Sequence, residues 1–217
     1  MVFPSAPDRQ ICLHLSSGRL DRSVWYCQQV SAKTREGPAR IRILGTATRL
    51  FYAEGVHRVG VDRIIAESGV AKATFYHHFP AKDELVRAYL EAEFARQRDA
   101  VEALRAASPD AGEALVRIFT YLGDTGASAT FRGCPFTNAA AEYPEPAHPV
   151  RQTVADYRRW SRDLFRDLLT DAGHPDAGRT ATILMMIRDG IVVGSDLDDP
   201  QALGPAIPEA VARVLGQ

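Results

Sequence analysis

One short run of the chain, Lys72-Ala73-Thr74-Phe75-Tyr76-His77, gathers an ammonium, a methyl, a hydroxyl, a phenol and an imidazole, and Lys82 adds a second ammonium. Carried on a helix that enters a groove of DNA, such groups can contact phosphate oxygens and base edges. A lysine and a tyrosine hydroxyl donate to phosphate oxygens. Thr74 can reach a base edge or a phosphate, and the small Ala73 allows close approach and contact with a thymine methyl. Arg63, on the preceding segment, is a further phosphate or base candidate. At about 100° per residue, Ala71, Phe75 and Phe79 define a buried helical face. Ala73 and His77 then point away from it, Thr74 and Tyr76 flank them, and Lys72 lies to the side. His78 falls beside the buried face and is read as a packing residue.

A recognition face needs elements that hold it. The stretch Gly60 to Phe79, GVDRIIAESGVAKATFYHHF, reads as two short helices with a turn at Ser68-Gly69. Val61, Ile64 and Ile65 share a face of the first helix, and glycine ends a helix in a left-handed turn at least cost. Two helices joined by a short Gly-containing turn form a helix-turn-helix, whose second helix enters the major groove. Upstream, Ile43, Leu44, Ala47, Leu50 and Phe51 make the apolar stripe of an amphipathic helix that Gly55 ends. Gly60 is the expected N-cap of the next helix, without a side-chain oxygen to offer.

Downstream, Ala81 to about Ala107 reads as a long fourth helix, with Asp83 and Glu84 in the first turn where the helix dipole favours anions. A fifth helix follows on Ala114, Leu115, Ile118, Phe119 and Leu122. Gly123 to Arg132 reads as a loop, and Phe136 to Tyr143 as a short helix closed by Pro144 and Pro146. A long helix runs from Val150 to near Gly173. Thr180 to Val193, apolar on nearly every side, predicts a buried helix. A last short helix is expected after Pro208. No useful strand alternation is present, so the predicted fold is all-α: an N-terminal three-helix DNA-binding domain with a helix-turn-helix, then a larger helical domain. The expected divisions are 1–35, a disordered extension rich in breakers; 36–82, the helix-turn-helix domain; and 83–217. Arg19, Arg22, Lys33 and Arg35 also permit the extension to act as a basic arm on DNA.

The 217 residues carry 26 Lys/Arg against 27 Asp/Glu, so positive charge must be concentrated locally for a DNA binder. Residues 36–90 hold eight Lys/Arg and six Asp/Glu, an excess of positive charge over the rest of the chain. No run approaches the roughly 18 apolar residues of a membrane span. Cys12, Cys27 and Cys134 contain no CxxC pair, and a reducing cytoplasm is the simplest setting. An enzymatic reading finds little footing. Cys134 and His148 are separated by a short helix and the Pro144/Pro146 pair, and no third orienting group is evident. His148, His174, Asp171 and Asp176 match no compact metal motif. No metal or cofactor is implied. A redox role for Cys134 stays open.

The blocks ILGTATRLFYAEG, VDRIIAESGVAKATFYHHF and PAKDELV, in this order and spacing, resemble the DNA-binding domain of the TetR/AcrR family of bacterial repressors over residues 36–90. The resemblance implies a second helical domain that binds a small ligand and forms a homodimer through its last two long helices. It implies a cytoplasmic regulator that holds a palindromic operator until a small-molecule inducer releases it. A redox response through Cys134, or activation with the same head, are the alternatives. It also places Lys72, Tyr76 and Lys82 on DNA. Two departures stand out: Gly60 and Ala71 occupy positions where the family often has Ser or Thr, which puts two phosphate contacts in doubt. The segment GCPFTNAAAEYPEPAHP resembles a motif of a subset of these regulators and implies no particular chemistry. Candidate ligand-lining residues are Phe119, Phe136, Tyr157, Trp160, Met185 and Met186, against the simpler reading that most are core. Arg188 and Asp189, charged within an apolar helix, either pair at an interface or lend a pocket polarity.

Overall fold

Pro38 occupies the first turn of helix α1 (Pro38–Glu54), where a missing N–H costs nothing. The computed structural model describes residues 37–216. The extension expected over residues 1–35, its basic arm and Cys12 and Cys27 lie outside the described residues. Ile43, Ala47, Leu50 and Phe51 are buried along one face of α1, as the stripe predicts. Gly55 ends the helix with φ +89°, its N–H donating to the Phe51 carbonyl at 3.0 Å. After the turn come α2 (Val61–Ser68) and α3 (Lys72–His78), joined through Gly69 at φ +65°. Gly60 caps α2 without a side-chain bond.

Phe75 is fully buried and Phe79 nearly so. Ala71 is not: it is exposed and serves as the N-cap of α3, and Val70 packs on the core instead. A strict four-residue period places Ala71 inward only if the helix has already begun there, and it has not.

Helix α4 (Lys82–Ala106) runs 25 residues, about 38 Å at the standard rise. Then follow α5 (Ala111–Gly126), α6 (Pro135–Glu142), α7 (Pro149–Asp171), α8 (Ala177–Leu197) and α9 (Pro200–Val214). Side chains cap four of these: Asp110 accepts from Glu113 N–H at 2.8 Å, His148 Nδ1 from Val150 N–H at 3.2 Å, Asp176 from Arg179 N–H at 3.2 Å, and Asp199 from Gln201 N–H at 2.9 Å. Among the described residues there is no strand, and no helix is long and apolar enough to cross a membrane.

Three expectations need correction. The expected loop from Gly123 begins too early, since α5 continues to Gly126. Gly126 is there for close packing, since a Cβ on it would sit 2.5 Å from Ser195 Cβ of α8; one on Gly123 would meet the movable end of the Ile207 side chain of α9. The last helix is longer than expected and contains Pro205 and Pro208. The carbonyls that lose an i+4 donor belong to Gln201 and Gly204, both exposed, so water can replace the missing N–H. Finally, α8 is not buried all round. Leu184, Met185, Ile191 and Val192 face inward, but Ile183, Met186, Val193 and Leu197 are exposed along the other side.

Two apolar cores hold the helices. One joins α1, α2, α3 and the start of α4 to α6, the first half of α7 and Val192. The other joins α5, the end of α7, α8 and α9. Leu122 and Trp160 pack against both. The core under the helix-turn-helix therefore continues past residue 82 into the body.

Candidate nucleic-acid interface

Phe75 anchors the recognition helix. Losing a fully buried phenylalanine costs about 3–5 kcal/mol, so the face opposite Phe75 is held firmly outward. On that face Ala73, Tyr76 and His77 are exposed, Thr74 is half-buried, and His78 is half-buried beside Phe79. Tyr76 keeps 43% of its surface exposed while its ring meets Phe75 edge-on at 5.3 Å. Lys72 Nζ lies 3.2 Å from Asp62, and both side chains are largely exposed. Such a surface pair is worth at most about 1 kcal/mol, so a phosphate can replace the aspartate at little cost.

Arg63 sits differently. Its Nη1 and Nη2 donate to the Glu54 carboxylate at 2.7 and 2.8 Å, and its Nε to Glu67 at 2.8 Å. Arg49 donates to the same Glu67. The bond from Arg63 holds the Glu54 carboxyl below the usual range, and bonds from Arg49 and Arg63 do the same for Glu67. Arg63 thus ties α2 to the end of α1. On the other flank Arg42 Nε donates to the Ser68 carbonyl at 3.3 Å, and the Arg40 guanidinium lies 4.9 Å from the Phe79 ring centroid. Lys82 is half-buried at the start of α4, with its ammonium 6.0 Å from the Phe51 ring centroid. Burial lowers its pKa, against the pull of Glu142 and Asp83.

The segment 132–148, to which no chemistry could be given from its residues, grips the helix-turn-helix unit at several points. Tyr52 of α1 donates its hydroxyl to the Gly133 carbonyl at 3.1 Å and accepts from Arg132 N–H at 2.9 Å. Glu142 accepts from Val56 N–H at 2.8 Å and from His57 N–H. Tyr143 donates to Asp83 at 2.9 Å, and His148 Nε2 lies 3.2 Å from the other Asp83 oxygen. These partners lie 60 to 86 residues apart in the chain. No local pattern in the sequence points to them.

The six candidate ligand residues do not form one site. Phe136, Tyr157 and Trp160 come together around Phe94: Phe136 stacks on Tyr157 at 3.7 Å and 5°, and Phe94 meets Phe136, Tyr157 and Trp160 edge-on. Phe119 and Met185 belong to the second core, Phe119 against Phe165 at 5.2 Å. Met186 is 69% exposed and lines nothing, because it falls on the outer side of α8.

Arg188 and Asp189 resolve into a network. Arg188, buried among these rings, donates to Tyr157 Oη at 2.8 Å, Cys134 Sγ at 3.2 Å and Asp189 at 2.7 Å. Tyr157 in turn donates to Gln97 of α4 at 2.7 Å, and Arg158 holds Asp189 with two bonds. Burial pushes Asp189 up, but the bonds from Arg158 and Arg188 hold it below the ordinary carboxylate range. Burial pushes the Tyr157 phenol up, with Arg188 pulling the other way. A groove of about 180 Å³ reaches the outer side of Trp160, between α4 and α7. Among the described residues no cluster of His, Cys, Asp and Glu could hold a metal.

A helix-turn-helix with an exposed recognition face, seated on a helical body, defines a DNA-binding transcriptional regulator. Residues 43–89 match the family described as "Bacterial regulatory proteins, tetR family". The HTH-type transcriptional regulator LmrA of Bacillus subtilis (strain 168) is 30% identical over 167 residues, 72% of this chain and 86% of LmrA. The crystal structure of a TetR-family transcriptional regulator from Streptomyces coelicolor is 44% identical, with a TM-score of 0.79 over 82% of this chain and 94% of that one. A cysteine mutant of CifR complexed with 26bp double-strand operator DNA shares the fold at 19% identity, with a TM-score of 0.67 over 85% of this chain and 98% of that one. The chain belongs to the tetR family of bacterial regulatory proteins.

Proposed function

We propose that this regulator is a ligand-responsive repressor that binds a palindromic operator as a homodimer and is released by a small molecule. One observation carries the reading. Helix α4 bears Lys82 beside the recognition face at one end, and further along it bears Phe94 and Gln97 against Trp160 and Tyr157. A single helix therefore joins the DNA side to an aromatic and polar cluster suited to sensing. Lys72, Ala73, Thr74, Tyr76 and His77 meet DNA, Lys82 binds a phosphate, and Arg63 braces α2. Phe136, Tyr157 and Trp160 receive the inducer, which enters at the groove beside Trp160 by parting the rings. Phe119 and Met185 form the second core behind it. The outer stripe of α8 is the homodimer face.

An inducer acts by preferring the conformation whose two heads are misplaced, and it shifts DNA affinity by that preference and no more. The test has two steps. A palindromic duplex selected by the protein from a randomised pool should bind with a steep salt dependence, reflecting several phosphate contacts. A compound that raises the melting temperature should then weaken binding to that duplex. Selection of no palindromic sequence, or stabilising compounds that leave DNA affinity unchanged, would each end the reading. The bond from Arg188 to Cys134 Sγ favours a second reading, response to oxidants through Cys134. Loss of a peroxide response in Cys134→Ser, with the ligand response intact, would select it. A reporter fused to the bound promoter separates repression from activation by the sign of its change on deletion of the regulator.

A further inference from the structure

The segment GCPFTNAAAEYPEPAHP touches both ends of the regulator. At its start, Cys134 accepts a hydrogen bond from buried Arg188 at 3.2 Å, and Phe136 stacks on Tyr157. At its end, Glu142 closes α6 with its carboxylate on the turn between α1 and α2, accepting from the N–H groups of Val56 and His57. That turn is shaped for the approach. Gly55 has φ +89°, and a Cβ there would stand 3.3 Å from Glu142 Oε1. Two backbone donors on one carboxylate are charge-assisted bonds, stronger than neutral ones. Tyr143 and His148 meanwhile hold Asp83 in the first turn of α4. The eight-residue α6 thus spans from the aromatic–polar cluster to the hinge of the helix pair that carries α3.

We propose that α6 is a coupling strap and that Glu142 is a positioning residue for DNA binding, fixing the tilt of the head on the body. The inference rests on the operator reading above, because tilt matters only when two heads must reach two half-sites together. Half-sites one turn apart are read at one spacing. Moving one of them by a single base pair displaces it by about 3.4 Å and rotates it by about 35°. A head held by Glu142 rejects that change, and a head freed from it tolerates it. A carboxylate that only satisfies two turn amides would affect melting and leave the spacing preference alone.

The experiment uses the full-length chain and the duplex that the wild-type protein selects from a randomised pool. Dissociation constants are measured by fluorescence anisotropy for that duplex and for versions with one base pair added or removed between half-sites. The wild-type protein should favour its own spacing by about tenfold or more, the scale of a misplaced base contact. Glu142→Ala should bring the ratio to within about twofold and speed amide exchange at Val56 and His57. Glu142→Gln, which keeps the side-chain size and one acceptor oxygen, should give an intermediate ratio and covers the case of an alanine variant that fails to fold. A wild-type ratio in either folded variant, with faster exchange at the two amides, overturns the strap. A wild-type protein that selects no palindromic duplex overturns the operator reading itself, a result distinct from any behaviour of Glu142.

Discussion

Lys82 and Arg63 are both cations beside the helix-turn-helix, and their surroundings separate them. Among the described residues no carboxylate is hydrogen-bonded to Lys82, which supports the proposal that it binds a phosphate. Lys82→Gln should weaken binding to all sequences alike and lower the slope of log K against log salt by about one. Arg63 already spends three N–H groups on Glu54 and Glu67. Arg63→Gln should lower the melting temperature and leave the salt slope unchanged; a slope lowered by about one would return Arg63 to the phosphate contacts. Asp189 carries a pH signature. Its carboxyl is held below the ordinary range in the fold, so between the folded and unfolded pKa the unfolded chain binds more protons. Its stabilisation is complete above the unfolded value, near 3.8, and is lost as pH falls through the folded one. Urea midpoints at pH 5 and pH 3 should therefore drop less in Asp189→Asn than in the wild-type protein. Solvent screening keeps the difference modest, since Asp189 is partly exposed.

At the scale of helices, the same residue type plays opposite parts. Gly45 lies inside α1, and among the described residues nothing is within 4 Å of a Cβ added there, whereas Gly126 closes α5 against Ser195. Gly45→Ala should raise stability by about 0.5–1 kcal/mol through helix propensity. Gly126→Ala should lower it by about 1–3 kcal/mol, because overpacking outweighs propensity. Chemical denaturation of the pair checks both signs. This contrast also explains what could be read before any coordinates. The stripe of α1, the Ser68-Gly69 turn and Phe75 were legible, because each is a local period or a local φ requirement. Gly123 and Gly126 read as a loop because the side chains that a Cβ there would meet are far along the chain, on α8 and α9. Pro205 and Pro208 read as breakers because sequence does not tell which carbonyls face water. The exposed recognition residues followed from helical geometry around Phe75 and Phe79. The bonds of the Glu142 carboxylate and the Tyr143 hydroxyl, and those of Arg188 to Tyr157 and Cys134, did not, since each crosses at least 31 residues.

At the scale of the whole molecule, the proposed homodimer turns on the outer side of α8. Ile183, Met186, Val193 and Leu197 recur at three-, seven- and four-residue steps and project from the same helix whose inner side packs the second core. Gly190 sits in the seven-residue gap with no side chain, and among the described residues nothing is within 4 Å of an added Cβ, leaving room for a facing helix to come close. An apolar stripe of this kind gains by leaving water, and in the homodimer proposed above a second copy of the same stripe would cover it by a two-fold axis, the commonest oligomer symmetry. A dimer of this kind is also what a palindrome requires. Met186→Asp places a charge at the middle of that contact, where it has no partner and burial is costly. Sedimentation velocity should then show the wild-type protein at twice the chain mass and the variant at the chain mass. Circular dichroism should be unchanged, because Met186 is largely exposed on its own chain. Affinity for the full palindrome should fall to that for a half-site, and the salt slope should fall by about half as one head's phosphate contacts are lost. A monomeric variant that still bound the palindrome with the full slope would show that the two heads are joined elsewhere, and the stripe of α8 would need another occupant.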